Sequence, residues 1–481
     1  MSSYELVAGL ETHVELATKT KIFCSCTTEF GGERTARGGE PNTPCGPVCI
    51  GLPGTLPVLN KQVVAYAVRA GLATHCEIAK VSKMDRKNYV YPDLPKAYQI
   101  SQYDMPLCKN GYIDLSNGRR IRILRIHIEE DAGKLVHSRG NTYVDYNRGG
   151  VPLIEIVTEP DFRSPEEARE YIEKLQFLMR YIGVSDCRME EGSMRCDVNI
   201  SVRPAGSEQL GTRTEIKNMN SINFITKAMA YEFDRQCDLL DCGEPVVQET
   251  RRYNESDGST ESMRGKEDAQ DYRYFPEPDL VTIRVPQETI EKIRASLPED
   301  PDARKARWQQ DFGISVADAE QLLRYRKVAD YFDAAAKGLK NAKAAASCIL
   351  GQMFRRLETE ADKEQFNPLT TPADLNALLK LLDAGKIRMN LVKSTLDKML
   401  DTGKPASDFL SESDLAGIDE GQLSALCAEA VEKNPKAAAD YLAGKEKAVK
   451  ALVGYVMKAT KGRADALQAE AMLIALIKKQ G

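Results

Sequence analysis

The stretch Val151 to Asp161, VPLIEIVTEPD, places a carboxylate inside what reads as a strand. Val151, Leu153, Glu155 and Val157 share one face of a period-two pattern, and Ile154 and Ile156 share the other. A Glu among apolar neighbours costs roughly several kcal/mol to keep charged and unpaired. Glu155 therefore calls for a cation, an Arg or Lys, or a proton, unless it reaches water at a sheet edge. Three other strand-like stretches repeat the theme. In Leu6 to Leu16, Glu11, His13 and Glu15 oppose Leu10, Val14 and Leu16. In Arg120 to Asp131, Arg125, His127 and Glu129 oppose Leu124, Ile126 and Ile128, whose face continues into Glu130. In Met189 to Val202, Arg195, Asp197 and Asn199 oppose Met194, Cys196, Val198 and Ile200.

Glu11, His13, Glu130, Glu155 and Asp197 together form an oxygen-rich set with one imidazole. Such hard ligands suit Mg²⁺ or Mn²⁺ over zinc. Glu130 is preferred to Glu129 because, like Glu155, it continues an apolar face. Lys87, Arg195, Glu215 and Lys217 are the expected nucleotide contacts. Lys87 lies in KMDRKNYVYPDLPKAYQISQYD, where Lys83, Arg86, Lys87 and Lys96 alternate with Tyr89, Tyr91, Tyr98 and Tyr103. Charge beside stacking surface suits a nucleotide or an RNA end; a Tyr-rich loop bracing the sheet is the competing reading. No G-x-x-x-x-G-K-[ST] occurs, so ATP is not held by a P-loop. A carboxylate-held metal can instead bridge phosphates during in-line transfer. No Cys–His pair or Ser/Gly-rich loop marks an amidase nucleophile.

A second metal pattern lies in Cys24-Ser-Cys26 and Cys45-Gly-Pro-Val-Cys49. Two close Cys pairs joined by a polar loop predict a closed, structural Zn²⁺ site of four thiolates. Neither spacing is the C-x-x-C of redox enzymes.

The elements that must carry these residues follow from pattern. Leu59 to Ala73 predicts a helix. Ser164-Pro-Glu-Glu167 predicts a capping box opening a helix that runs to Gly183 and covers the sheet with Ala168, Ile172, Leu175, Met179 and Ile182. Another long helix starts near Ser221 and ends before Gly243. Glu249 to Phe275 mixes Arg251, Arg252, Arg264 and Arg273 with many acids and reads as surface loops. Beyond Pro286 the pattern is helical to the end, with linkers near Pro298–Pro301 and Gly403–Ser407. The tail from Pro435 carries Lys445, Lys447, Lys450, Lys458, Lys461 and Arg463, a basic surface fit for RNA or an ordinary solvated face.

At 481 residues the chain exceeds one core. A net charge of −5 argues against coating nucleic acid over the whole surface. With no signal-like start, no membrane span and clustered Cys, a reducing, cytoplasmic setting is expected.

In order along the chain, GLETHVEL, DRKNYVYPDLPKAYQISQYD, HIEEDAGK, PLIEIVTEPD, MEEGSMRCDVNIS and DYRYFPEPDL resemble the B subunit of the bacterial and organellar tRNA-dependent amidotransferase. The likeness covers essentially the whole chain. It implies an α+β fold: a glutamine-synthetase-like cradle with a mainly antiparallel sheet over 1–294, an all-α helical domain over 295–405, and a small helical tail domain over 406–481 that contacts tRNA. It implies a ligase that phosphorylates the side-chain carboxylate of Glu-tRNA(Gln) or Asp-tRNA(Asn) with ATP and amidates it. The ammonia would come from a glutaminase A subunit, with a small C subunit completing the heterotrimer. The family's Mg²⁺ motifs fall on Glu11 and His13, on the Glu129–Glu130 pair, on Glu155 and on Asp197. Its zinc motif falls on Cys24, Cys26, Cys45 and Cys49, the second pair being one residue longer than the usual C-P-V-C. No inserted synthetase-like domain is present, which separates the chain from the archaeal relative. A non-catalytic tRNA-docking and assembly subunit is the competing function.

Overall fold

A computed structural model describes residues 4–29, 40–265, 271–415, 420–460 and 464–480. The chain separates into two compact units, Met1–Pro298 and Glu299–Gly481.

The first unit is built on a nine-stranded sheet. Its spatial order is β14 (Thr260–Gly265), β13 (Glu249–Tyr253), β12 (Thr214–Lys217), β11 (Met194–Pro204), β1 (Tyr4–Glu15), β10 (Pro152–Thr158), β7 (Arg120–Glu130), β6 (Cys108–Asp114) and β2 (Glu77–Ile78). Only β12 and β13 run parallel; every other neighbouring pair is antiparallel. Three smaller pairings complete it: β4 (Asp85–Asn88) between β5 (Tyr98–Ser101) and β15 (Phe275–Pro276), β3 (Val81–Ser82) with β16 (Ile283–Arg284), and the hairpin of β8 (Lys134–Ser138) and β9 (Asn141–Asp145).

Alternation decides which face of the sheet is dry. Leu10, Val14, Ile126, Ile128, Ile154, Ile156, Val198 and Ile200 are buried in one apolar cluster. Helices α1 (Lys61–Ala73), α2 (Pro165–Tyr181), α3 (Ile222–Asp241) and α4 (Gln287–Ala295) contribute the other side of that cluster. The stripe of α2 is the one its spacing predicts: Ala168, Ile172, Leu175 and Met179 are fully buried. Ser164 caps it by accepting from the Glu167 N–H, and Pro165 opens it. The reciprocal half of the capping box is shifted by one residue, because Glu167 accepts from the Arg163 N–H.

One expectation is corrected. Glu249 to Phe275 holds two strands of the main sheet, β13 and β14, as well as β15. Its strands lack apolar alternation because they are held by ion pairs. Arg251 bonds Glu249 and reaches the fully buried Glu232 at 3.5 Å, while Arg252 pairs with Glu261 at 2.7 Å. The Arg264 side chain and residues 266–270 lie outside the described residues.

The second unit is helical throughout its described residues. A separate core of Leu423, Cys427, Ala430, Leu452, Val456, Leu473 and Ile477 closes its end. Gly403, at φ +70°, ends the helix Met389–Thr402 where a linker is expected. Lys445, Lys447, Lys450 and Lys458 are exposed, as a basic outer surface requires, while Lys461 and Arg463 lie outside the described residues. Among the described residues no helix is long and apolar enough to cross a membrane.

Candidate active site

The face of the sheet turned away from the helices collects the acidic and His side chains, and strand register brings them together. β1 is central: His13 stands opposite Glu155 on β10 and Arg195 on β11, while Glu11 stands opposite Val157 and Asp197. One strand further, Glu155 stands opposite His127 of β7. Residues opposite one another share a face, so one transverse row reads Arg195, His13, Glu155, His127.

At its centre, His13 Nε2 lies 3.4 Å from Glu129 Oε1 and 3.5 Å from Glu155 Oε2. His127 Nε2 lies 3.3 Å from Glu155 Oε2 and 3.8 Å from Glu129 Oε2. His13, Glu129 and Glu155 each offer a ligand atom, and these atoms lie within 4.8 Å of one another. Burial pushes His127 toward neutrality, yet the Glu155 and Glu129 carboxylates outweigh it and lift the imidazole to about 9. Burial works to raise Glu155 as well, but the His127 and His13 imidazoles hold it well below the usual carboxylate range.

Glu130 is not part of this cluster. It pairs in register with Pro152, on the face that packs against the helices. Both its oxygens bind Lys96 Nζ, at 2.7 and 2.8 Å, and Oε1 also accepts from the Ile100 N–H at 2.9 Å. Preferring Glu130 assumes that an acid continuing an apolar face joins Glu155. Register reverses this: the polar face of β7, with His127 and Glu129, is the one that meets Glu155. Replacing Glu130 by Ala is expected to cost about 3–5 kcal/mol by stranding Lys96. Mn²⁺ affinity should stay within a few-fold of wild type. Urea unfolding and Mn²⁺ titration by electron paramagnetic resonance measure the two effects separately.

Glu11, His13, Glu129, Glu155, Asp197, Glu215, Lys217 and Lys87 line one cavity of about 290 Å³. Glu11 accepts from Asn199 Nδ2 at 2.8 Å, and burial, then the charge of Glu155, raises its carboxyl. Lys217 bridges Asp197 and Glu215 at 2.9 and 3.0 Å. The far wall is aromatic: Tyr103 and Tyr274 stack with ring centres 4.3 Å apart, and Lys87 Nζ sits 4.8 Å from the centre of Tyr272. Of the four bases expected there, only Lys87 lines the cavity. Lys83 is bound by Asp85 and Asp104, Arg86 by Glu277 and Lys96 by Glu130.

A larger cleft of about 1370 Å³ shares His13, Asp197 and Lys217 with this cavity. Arg195 lines the cleft, fixed by a 2.8 Å bond to the buried Asp131, while its own Nε is buried without a hydrogen-bond partner among the described residues. A buried donor of that kind has the capacity for one further hydrogen bond. Sequence reasoning leaves out His127, Asp131 and Arg125. The period-two spacing of Arg125 and His127 with Glu129 is the available signal.

The Cys pattern folds into a second cluster. Sulfur atoms of Cys24, Cys26 and Cys49 lie within 4.8 Å of one another. Cys45 is directed elsewhere, its thiol donating to Asn147 Oδ1 at 3.6 Å. The extra residue of the second pair, Gly46, donates its N–H to Cys26 Sγ at 3.1 Å, and a Cβ there would stand 2.9 Å from that sulfur. Beneath the cluster lies Lys21, fully buried, with Nζ 3.6 Å from Cys49 Sγ and 3.3 Å from the Tyr146 carbonyl. The Cys24 hydrogen bond, helped by Lys21 and opposed by burial, draws the Cys49 thiol down to about 5.

Sheet, helices and acid–imidazole cluster define a catalytic domain carried ahead of a helical region. Residues 6–291 match the family described as the GatB/GatE catalytic domain, and residues 330–477 match the GatB domain. The chain is 52% identical over 475 residues to the B subunit of the aspartyl/glutamyl-tRNA(Asn/Gln) amidotransferase of Carboxydothermus hydrogenoformans, covering 97% of each chain. It is 53% identical over 467 residues to the polypeptide of the same name from Thermoanaerobacter pseudethanolicus, covering 96% of this chain and 97% of that one. It is 50% identical over 467 residues to that of Clostridium botulinum, covering 96% of each. The chain therefore belongs to the GatB family of amidotransferase B subunits.

Proposed function

We propose that this chain is a ligase subunit that uses ATP to phosphorylate the side-chain carboxylate of Glu-tRNA(Gln) or Asp-tRNA(Asn). The carboxylate oxygen takes the γ-phosphoryl group and ADP leaves. Ammonia from a partner glutaminase subunit then adds at the activated carbonyl carbon, phosphate departs, and the side-chain amide remains. The observation that carries this reading is the convergence of His13, Glu129 and Glu155 in one cavity that shares His13, Asp197 and Lys217 with a larger cleft.

The donor set fits a hard divalent cation, Mg²⁺ or Mn²⁺: two carboxylates and an imidazole, with Glu11 and Asp197 in the same cavity. His13, Glu129 and Glu155 would hold such a cation, which would supply charge neutralisation for the phosphates as an anionic carboxylate approaches. Around it the chain orients and excludes. The stacked Tyr103 and Tyr274 wall off one side, Lys87 supplies positive charge, and Lys217 keeps Asp197 and Glu215 in place. Arg195 faces the cleft, where the acylated end of a tRNA would enter. Cys24, Cys26 and Cys49 would hold a structural zinc ion, with Cys45 as the fourth donor expected from sequence. The exposed lysines of the C-terminal helices suit tRNA contact, and a small C subunit would tie this chain to the glutaminase. A translational role would suit a cytoplasmic assembly.

The test is purification of the full-length chain with whatever chains co-elute, followed by an ATP hydrolysis assay. Hydrolysis is expected to depend on Glu-tRNA or Asp-tRNA and to be coupled to amide formation from glutamine. Equal hydrolysis with free glutamate overturns the assignment.

A further inference from the structure

We propose that Arg125 binds the transferring γ-phosphoryl group of ATP, an inference that rests on the ATP-dependent reading of the site. Arg125 stands opposite Val157 on β10, two residues before His127 and on the same face of β7. It lines the small cavity together with Glu11, Glu129, Glu155, Asp197 and Glu215. In so acidic a surrounding a guanidinium would ordinarily be claimed by a carboxylate. Among the described residues none lies within 4.0 Å of it, and its buried Nε has no hydrogen-bond partner.

The neighbouring charges explain why. Glu129 and Glu155 are engaged by His13 and His127. Glu11 is held by Asn199, and Asp197 and Glu215 by Lys217. The acids are already satisfied, and the arginine is left as an unused donor fork beside them. A buried donor without an acceptor loses its hydration with nothing in return, so the arrangement is complete only when a further anion arrives. That anion must tolerate five carboxylates nearby, which disfavours any anion that arrives without a cation. A phosphoryl group carried in with a divalent cation meets the condition, because the cation neutralises the acids while the guanidinium grips phosphoryl oxygens at two points. Arg125 shares the wall with the His13–Glu129–Glu155 cluster, so the group it reaches is the one next to the cation. During transfer, charge spreads over the three equatorial oxygens of that group, and a fixed guanidinium stabilises it there.

The experiment compares nucleotides that differ by that group alone. Full-length protein, in complex with its co-purifying chains, is titrated calorimetrically with AMP-PNP and with ADP in the presence of Mn²⁺. Wild type is expected to bind AMP-PNP more tightly. Arg125→Ala should lose about tenfold or more in AMP-PNP affinity, keep ADP affinity within about twofold, and keep Mn²⁺ binding by electron paramagnetic resonance. Arg125→Lys should fall between the two. Equal loss for both nucleotides, or no loss for either, overturns the proposal, as does a wild type that binds both equally. A wild-type complex that binds neither nucleotide defeats the ATP reading itself, and the inference with it. Normal wild-type discrimination preserved in Arg125→Ala defeats the inference alone.

Discussion

Glu155→Ala is expected to remove aminoacyl-tRNA-dependent ATP hydrolysis by about a thousandfold while the protein remains folded. Among the described residues Glu155 is the one carboxylate that touches both imidazoles within 3.5 Å, at 3.5 Å from His13 and 3.3 Å from His127. Without it a divalent cation held by His13 and Glu129 would lack its third ligand at the centre of the row. Charge neutralisation of a transferring phosphoryl group is worth several kcal/mol, which is about three powers of ten in rate. Mn²⁺ titration should report a parallel loss of affinity. The pH dependence of stability supplies a second readout. In the metal-free wild type His127 is lifted from 6.5 to about 9. A basic group raised on folding stabilises the native state fully below its unfolded value. That stabilisation, about 3 kcal/mol in size, is lost as pH climbs from 6.5 through about 9. Urea unfolding in EDTA across this range should show the decline in wild type and a shallower one in Glu155→Ala. Unchanged hydrolysis in a folded Glu155→Ala protein would favour a docking subunit over an enzyme.

Cys49→Ala is expected to destabilise the first unit far more than Cys24→Ala, although each removes one thiol from the same cluster. The difference lies in Lys21. Among the described residues no carboxylate reaches its ammonium, and its contacts are the Cys49 sulfur and a carbonyl. Removing the anionic partner of a buried charge costs about 3–5 kcal/mol. Removing Cys24 takes away a hydrogen bond that favours the Cys49 thiolate, but the Cys49 sulfur itself stays beside Lys21. The double variant Lys21→Met, Cys49→Ala should recover part of the loss, since it strands no charge. Denaturant melts under reducing conditions, with zinc content measured on each sample, separate the charge effect from the metal. Equal losses for the two single Cys variants would remove Lys21 from the explanation.

Local pattern makes the helices legible. Asn60, Ser164 and Ser221 cap where polar residues precede apolar stripes. Strand alternation likewise sorts Leu10 and Val14 from Glu11 and His13. Alternation fixes parity within a strand, however, and says nothing about which face of one strand joins which face of the next. Choosing between Glu129 and Glu130 needs the Glu155–His127 register, a pairing across 28 positions of sequence. β13 and β14 are illegible for a different reason, since Arg–Glu pairing around buried Glu232 replaces the apolar signal. Lys21 leaves no local trace, and for Arg125 the period-two spacing marks its face of the strand but not its lack of a partner. What distinguishes a buried lysine or an unpaired arginine is its surroundings in space.

The adjacent acids Glu129 and Glu130 also fasten one segment from two sides. Glu130 takes the Ile100 N–H and Lys96 behind the sheet, while Glu129 takes the Ser101 hydroxyl at 3.3 Å in front. Two successive residues thus rivet β5 through the thickness of β7. Sliding that wall would break bonds on both sides at once, so under the proposed function the small cavity would meet a nucleotide already shaped. Whatever opening and closing the catalytic cycle demands then falls to the wider cleft, where Val136 and Tyr143 of the β8–β9 hairpin stand exposed along the rim.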